Sequence, residues 1–128
     1  MISTSTYGFG NLSNILFPIR ELLVSLLKEI VLRIIAKKIL REFWEKHSDC
    51  EQQLKSWYQE TSGANWRTPS GIKQDYPSAS FLFDNRIVFN IKGNKYRMIV
   101  KLNYDYQIIW IRFIGTHAEY DKIDATKI

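Results

Sequence analysis

The stretch Arg86-Ile87-Val88-Phe89-Asn90-Ile91, then Lys92-Gly93-Asn94-Lys95, then Tyr96-Arg97-Met98-Ile99-Val100-Lys101-Leu102-Asn103 decides the fold. Both outer runs are rich in β-branched and aromatic residues, and the four residues between them form turns readily, so two antiparallel strands joined by a hairpin are expected. A two-residue period puts Ile87, Phe89 and Ile91 on one face of the first strand, and Tyr96, Met98, Val100 and Leu102 on one face of the second. The opposite face receives Asn90, Arg97, Ile99 and Lys101.

Two further runs extend this pattern outward. Ser78–Phe83 precedes it across Asp84-Asn85, and Gln107–Gly115 follows it across Tyr104-Asp105-Tyr106, giving an antiparallel meander. Period two assigns Ile109, Ile111 and Phe113 to the buried face of the last strand, and Trp110, Arg112 and Ile114 to the free one. Ala118–Ala125 reads as a closing turn or short helix.

Upstream, the period changes to that of helices. Leu32–Ala36 reads as a short strand, and Leu40, Phe43, Trp44 and His47 then recur at i, i+3, i+4 and i+7, which predicts a helix over Lys37–His47. Ser48-Asp49-Cys50-Glu51 has the form of a capping box opening a second helix, striped by Cys50, Leu54, Trp57 and Tyr58 and ended by Thr61-Ser62-Gly63. Thr68-Pro69 supplies an N-cap and a first-turn proline for a third helix over Pro69–Gln74, closed by Tyr76-Pro77. Helices followed by a meander define an α+β domain with the helices on one face of the sheet.

Residues 1–31 differ from this pattern. Ser, Thr, Gly and Asn dominate Met1–Asn11, and the apolar run Ile15–Ile35 is interrupted by Pro18 and five charged residues. A membrane span needs about 20 nearly uncharged residues, so none is expected, and the basic leader and cleavage site of a secretory signal are missing. Two readings stay open. One is an amphipathic helix around Ile19–Ile30; the other is an upstream mis-called start, with translation beginning at Val31 or Leu32. In the second, Lys28-Glu29-Ile30 corresponds to a purine-rich string resembling a ribosome-binding site. The expected division is therefore an extension over residues 1–31 and a domain over 32–128.

A chain of 128 residues and 15.1 kDa fits one domain and excludes a multidomain enzyme. Its single cysteine, Cys50, can form neither an internal disulfide nor a cysteine-based zinc site, a usage that suits the cytoplasm. The net charge of +5 is concentrated: Arg86, Lys92, Lys95, Arg97, Lys101 and Arg112 face only Asp105 between Asn85 and His117, and the remaining segments cancel. That stretch is the candidate anion-binding surface.

Several chemistries lack their parts. His47 and His117 stand far apart with no metal-ligand spacing, no nucleophile elbow is present, and the lone Gly93 is too little for a phosphate-cradling loop. What remains is Arg97 on a strand, His117 just after the last strand and Tyr120 three residues later, a set suited to phosphodiester chemistry. Imidazole can move protons, guanidinium can stabilise charge building on phosphorus, and a phenol ring can stack on a base. Each residue also has a plainer reading. His117 fits a surface or capping residue and Tyr120 rim packing; Arg97, Lys101 and Arg112 fit the solvated side of a sheet; Asn90 fits a structural hydrogen bond.

A family resemblance rests on three strings: Arg33-Ile34-Ile35-Ala36 with Leu40-Arg41-Glu42-Phe43-Trp44; Val88-Phe89-Asn90-Ile91-Lys92-Gly93-Asn94-Lys95-Tyr96-Arg97; and Ile111-Arg112-Phe113-Ile114-Gly115-Thr116-His117-Ala118-Glu119-Tyr120-Asp121. Over about Leu32–Ile128 the chain resembles the HigB toxins of bacterial toxin–antitoxin pairs, a branch of the RelE-like ribonucleases. The resemblance implies helices packed on one face of a curved antiparallel sheet. It implies cleavage of messenger RNA on the ribosome, without metal or cofactor, by attack of the ribose 2′-OH on the adjacent phosphate. Arg97 matches the arginine at the scissile phosphate, His117 the catalytic position after the last strand and Tyr120 the C-terminal aromatic. Lys92 and Lys95 would bind RNA backbone, joined by Lys101, while Asn90 and Arg112 support either the site or the fold. The lysine and glutamate bases of other branches have no match here. A HigA-type antitoxin is the implied partner, and operator DNA would be bound only through it. The competing reading is a non-catalytic RNA- or ribosome-binding module.

Overall fold

The computed structural model describes residues 32–128; the helix expected around Ile19–Ile30 and the start at Val31 or Leu32 fall outside them, as does the division at residue 31. Strand β1 (Arg33–Ile35) leads into helix α1 (Lys37–Lys46), a 3₁₀ turn (Ser48–Cys50) and α2 (Glu51–Ser62). Helix α3 (Pro69–Asp75) precedes β2 (Ser80–Leu82), β3 (Arg86–Ile91), β4 (Tyr96–Asn103), β5 (Ile108–Thr116) and the one-turn α4 (His117–Tyr120). The strands form one sheet in the order β1-β5-β4-β3-β2.

Strands β2 to β5 are the expected meander, and β3 and β4 have the predicted bounds. The sheet is nonetheless mixed, because β1 lies parallel to β5, with Ile34 opposite Ile109. That parallel pair needs a long crossover, which the helices and the rest of the meander supply. Asp84 and Asn85 both adopt positive φ (63° and 58°), the conformation tight hairpin turns require.

The helices cover the predicted face. Leu40, Leu54, Met98, Val100, Leu102 and Ile109 have no exposed surface, and each such side chain contributes about 1.5–3 kcal/mol of burial. Phe89 is their aromatic hub, edge-on to Trp57 (5.5 Å) and Tyr76 (5.3 Å) and stacked on Trp66 (6.3 Å).

Three local expectations are corrected. Ser48 makes no capping bond: a 3₁₀ turn intervenes, and α2 begins at Glu51 without a side-chain cap. Gln107 belongs to a turn and not to a strand; its φ is 55°, and its buried amide donates to the carbonyls of Trp66 (2.8 Å) and Tyr104 (2.7 Å). The third correction shapes the site. Opposite Ile99 and Val100 the pairing jumps from Phe113 to Ile111, so Arg112 is an extra residue, a β-bulge. Beyond it the alternation reverses. Ile114, expected on the free face, pairs with the core residue Met98 and packs on the core, whereas Phe113, expected in the core, pairs with Ile99 on the other side.

Candidate active site

The far end of the free face is assembled across three strands, where Asn90 pairs with Arg97 and Arg97 with Gly115. Strand β5 then ends in a formed capping box. The Thr116 side chain accepts from the Glu119 N–H (3.1 Å), and Glu119 accepts from the Thr116 N–H (2.8 Å). The second bond and its side-chain counterpart hold the Glu119 carboxyl below its ordinary range. This cap turns the chain so that α4 brings Tyr120 beneath Arg97, whose guanidinium carbon stands 4.8 Å from the ring centre. Phe113, brought to this face by the bulge, packs on Tyr120 at 6.4 Å.

Arg97 is half-buried. One terminal nitrogen donates to Asn94 Oδ1 (3.0 Å), Nε is buried without a hydrogen-bond partner, and the guanidinium makes no ion pair among the described residues. A partly desolvated cation with spare donors and no carboxylate suits an incoming anion. His117 opens α4, tied to the β3–β4 hairpin by its backbone N–H donating to the Lys95 carbonyl (3.0 Å). Its Nδ1 lies 3.0 Å from Asp121 Oδ2. An ionised carboxylate only accepts, so the shared proton sits on Nδ1, and Nε2 has no protein partner among the described residues. Arg97, Tyr120 and His117 thus share one end of the sheet.

The other predicted contacts divide. Lys95 is engaged: its ammonium bonds Asp49 (2.6 Å), whose second oxygen accepts from Tyr96 (2.7 Å). These bonds hold the Asp49 carboxyl below the usual range. Lys101 bonds Asp84 (2.9 Å) in the far row of the face, away from Arg97. Lys92 is exposed at the hairpin with φ 55°, its N–H held by Gln53 (2.6 Å), and Arg112 is exposed in the bulge. The face is also less open than alternation implies. Arg86, Val88 and Ile99 are buried, and Arg86 Nε donates to the Ile128 carbonyl (2.9 Å). Three contributors escaped the sequence reading: Asn94, Phe113 and Asp121. Only Asp121 left a signal, its i, i+4 spacing from His117.

Residues 50–123 match the family model for the HigB toxin, the RelE-like toxic component of a toxin–antitoxin system. The chain belongs to this family, whose biology implies an antitoxin partner. Among similar proteins, the mRNA interferase toxin HigB of Escherichia coli K12 is 28% identical over 96 residues, 73% of this chain and 92% of that one. The mRNA interferase HigB of Shigella flexneri gives the same figures, and that of Escherichia coli O6:H1 is 28% identical over 94 residues. Among the described residues no helix is long and apolar enough to cross a membrane, and no group of three metal-ligating side chains occurs.

Proposed function

We propose that this chain is a cytoplasmic endoribonuclease toxin that cleaves messenger RNA on the ribosome and thereby stops translation. The observation that carries the reading is the half-buried Arg97 guanidinium, unpaired by any described carboxylate and seated on the Tyr120 ring. A phosphodiester there would take the spare guanidinium donors, while a neighbouring base or ribose meets Tyr120. The 2′-oxygen loses its proton, attacks the adjacent phosphorus and displaces the 5′-oxygen. That oxygen takes up a proton, leaving a cyclic phosphate and a 5′-OH end. Arg97 stabilises the extra negative charge as it builds on phosphorus. His117, with Nε2 available, moves the proton at one of the two oxygens as general acid or base, and Asp121 holds its tautomer. Lys92 and Arg112 add sequence-independent, salt-sensitive contacts to RNA backbone, with Asn90 supporting the row beside Arg97. The partner in this reading is a HigA-type antitoxin, and operator DNA is bound only through it.

The test is induced expression followed by mapping of message ends. New 5′-OH ends within translated messages, lost in folded His117→Gln and Arg97→Ala variants, support the reading. Growth arrest with no new ends supports a non-catalytic ribosome-binding module instead.

A further inference from the structure

The helical layer carries a second feature, which the cleavage reading leaves unused. Between α1 and α2 runs a groove of about 430 Å³ lined by Lys37, Trp44, Lys55, Tyr58, Gln59 and Ser62. Trp44 is buried in the core and Tyr58 packs against it, so the floor is aromatic and fixed by the fold. Among the described residues, two ammonium groups and no carboxylate line the groove. Lys37 stands 4.8 Å above the centre of the Tyr58 ring and makes no ion pair among the described residues. Lys55 stands 5.4 Å from the centre of the Trp44 ring, its counter-charge being Glu51 at 2.6 Å in an exposed pair. Such an exposed pair contributes little, so Lys55 can exchange partners cheaply.

We propose that this groove is a docking surface for the antitoxin, taking an acidic segment whose aliphatic side chain seats between the lysines while its carboxylates meet Lys37 and Lys55. The argument is charge complementarity on an apolar floor: both ammonium groups cover aromatic rings that a carboxylate-bearing, aliphatic ligand would cover better. RNA, the other polyanion available to a toxin of this family, fits less well. Base stacking requires open ring faces, and Trp44 is only 7% exposed while Lys37 covers Tyr58. The helical layer also packs on the face of the sheet opposite to Arg97, so a partner here need not touch the cleavage residues. The proposal rests on family membership and not on the assignment of Arg97 and His117.

The experiment measures calorimetric affinity of the full-length toxin for its separately purified cognate antitoxin. Two toxin variants are compared with the native chain: Lys37→Glu with Lys55→Glu, which reverses the rim charge, and Gln59→Trp, which fills the groove without changing charge. All the altered side chains are exposed, so circular dichroism should match the native chain. At least a tenfold rise in Kd in each variant, with message cleavage unchanged, is the expected result. Native affinity in both variants overturns the proposal. An effect of the charge reversal alone also overturns it, since the contact then lies outside the groove. So does loss of cleavage with antitoxin affinity intact, which would make the groove an RNA contact.

Discussion

Arg97 and Tyr120 are 23 positions apart and belong to different elements, yet the guanidinium carbon of one stands 4.8 Å from the ring centre of the other. Cation and ring together form a surface on which charge and a flat base can be held at once. Everything that positions the pair is local: the Arg97–Gly115 register fixes one partner and the Thr116–Glu119 capping box the other.

Arg97→Ala should leave the fold intact and lower the rate of message cleavage by about 10²–10³, the usual cost of removing one preorganised donor to a developing anion. Arg97→Lys should recover only part of this, because an ammonium lacks the planar fork. Rates of appearance of 5′-OH ends, with circular dichroism as the folding control, check both.

His117→Gln should abolish growth arrest in a folded protein. Asp121→Ala should be milder, slowing cleavage while the toxin still binds ribosomes, since the imidazole remains but loses the partner that fixes its tautomer. Full toxicity of a folded His117→Gln protein would remove imidazole from the mechanism.

Gly115→Ala tests the row beside Arg97. A Cβ at this position would stand 2.6 Å from the tip of the Phe113 ring and 2.8 Å from Glu119 Oε1, so both must move. The expected cost is about 1–3 kcal/mol of stability, with activity lost beyond what the stability change explains. Thr116→Val, which removes only the cap, should cost about 1 kcal/mol. Denaturant midpoints and cleavage rates measured together separate the two effects.

The bonds from Lys95 and Tyr96 make a pH prediction through Asp49. They depress its carboxyl in the folded protein, so their contribution to stability is present above the ordinary aspartate value near 3.9 and is lost as pH falls through the lower folded-state value. Asp49→Asn should therefore melt below the native chain at neutral pH, and the gap should close in strong acid. Thermal midpoints from pH 7 down to about pH 2 give the comparison, and a gap independent of pH would contradict it.

What the sequence disclosed and what it hid follow from how local each signal is. Strands β3 and β4, the Pro69 helix and the core face from Ile87 to Leu102 were legible because alternation, turn chemistry and capping are written within a few residues. The parallel docking of β1 on β5 was hidden, because no local pattern fixes which edge of a sheet a distant strand will join. The capping pattern is plain at Ser48, where a 3₁₀ turn displaces it, whereas the box that forms lies at Thr116, directly behind a strand whose own pattern masks it. The faces of Phe113 and Ile114 were exchanged because strict alternation has no means of anticipating the extra residue at Arg112. At the candidate site, Arg97, His117 and Tyr120 stand out in the sequence by residue type and place, whereas the parts of Asn94 and Phe113 depend on the hairpin and on the strand register.

The extra residue in β5 makes the toxin's last strand a splice between two opposite parities. Upstream of Arg112, odd-numbered positions belong to the interior; downstream, even-numbered ones do. Deleting that single codon would restore strict alternation and leave each flanking side chain on the face it already holds, Ile111 and Ile114 inside and Phe113 outside against Tyr120. A strand that kept Arg112 but lost the bulge would instead carry Phe113 into the interior, so the kink is what keeps an aromatic wall standing on the outer side.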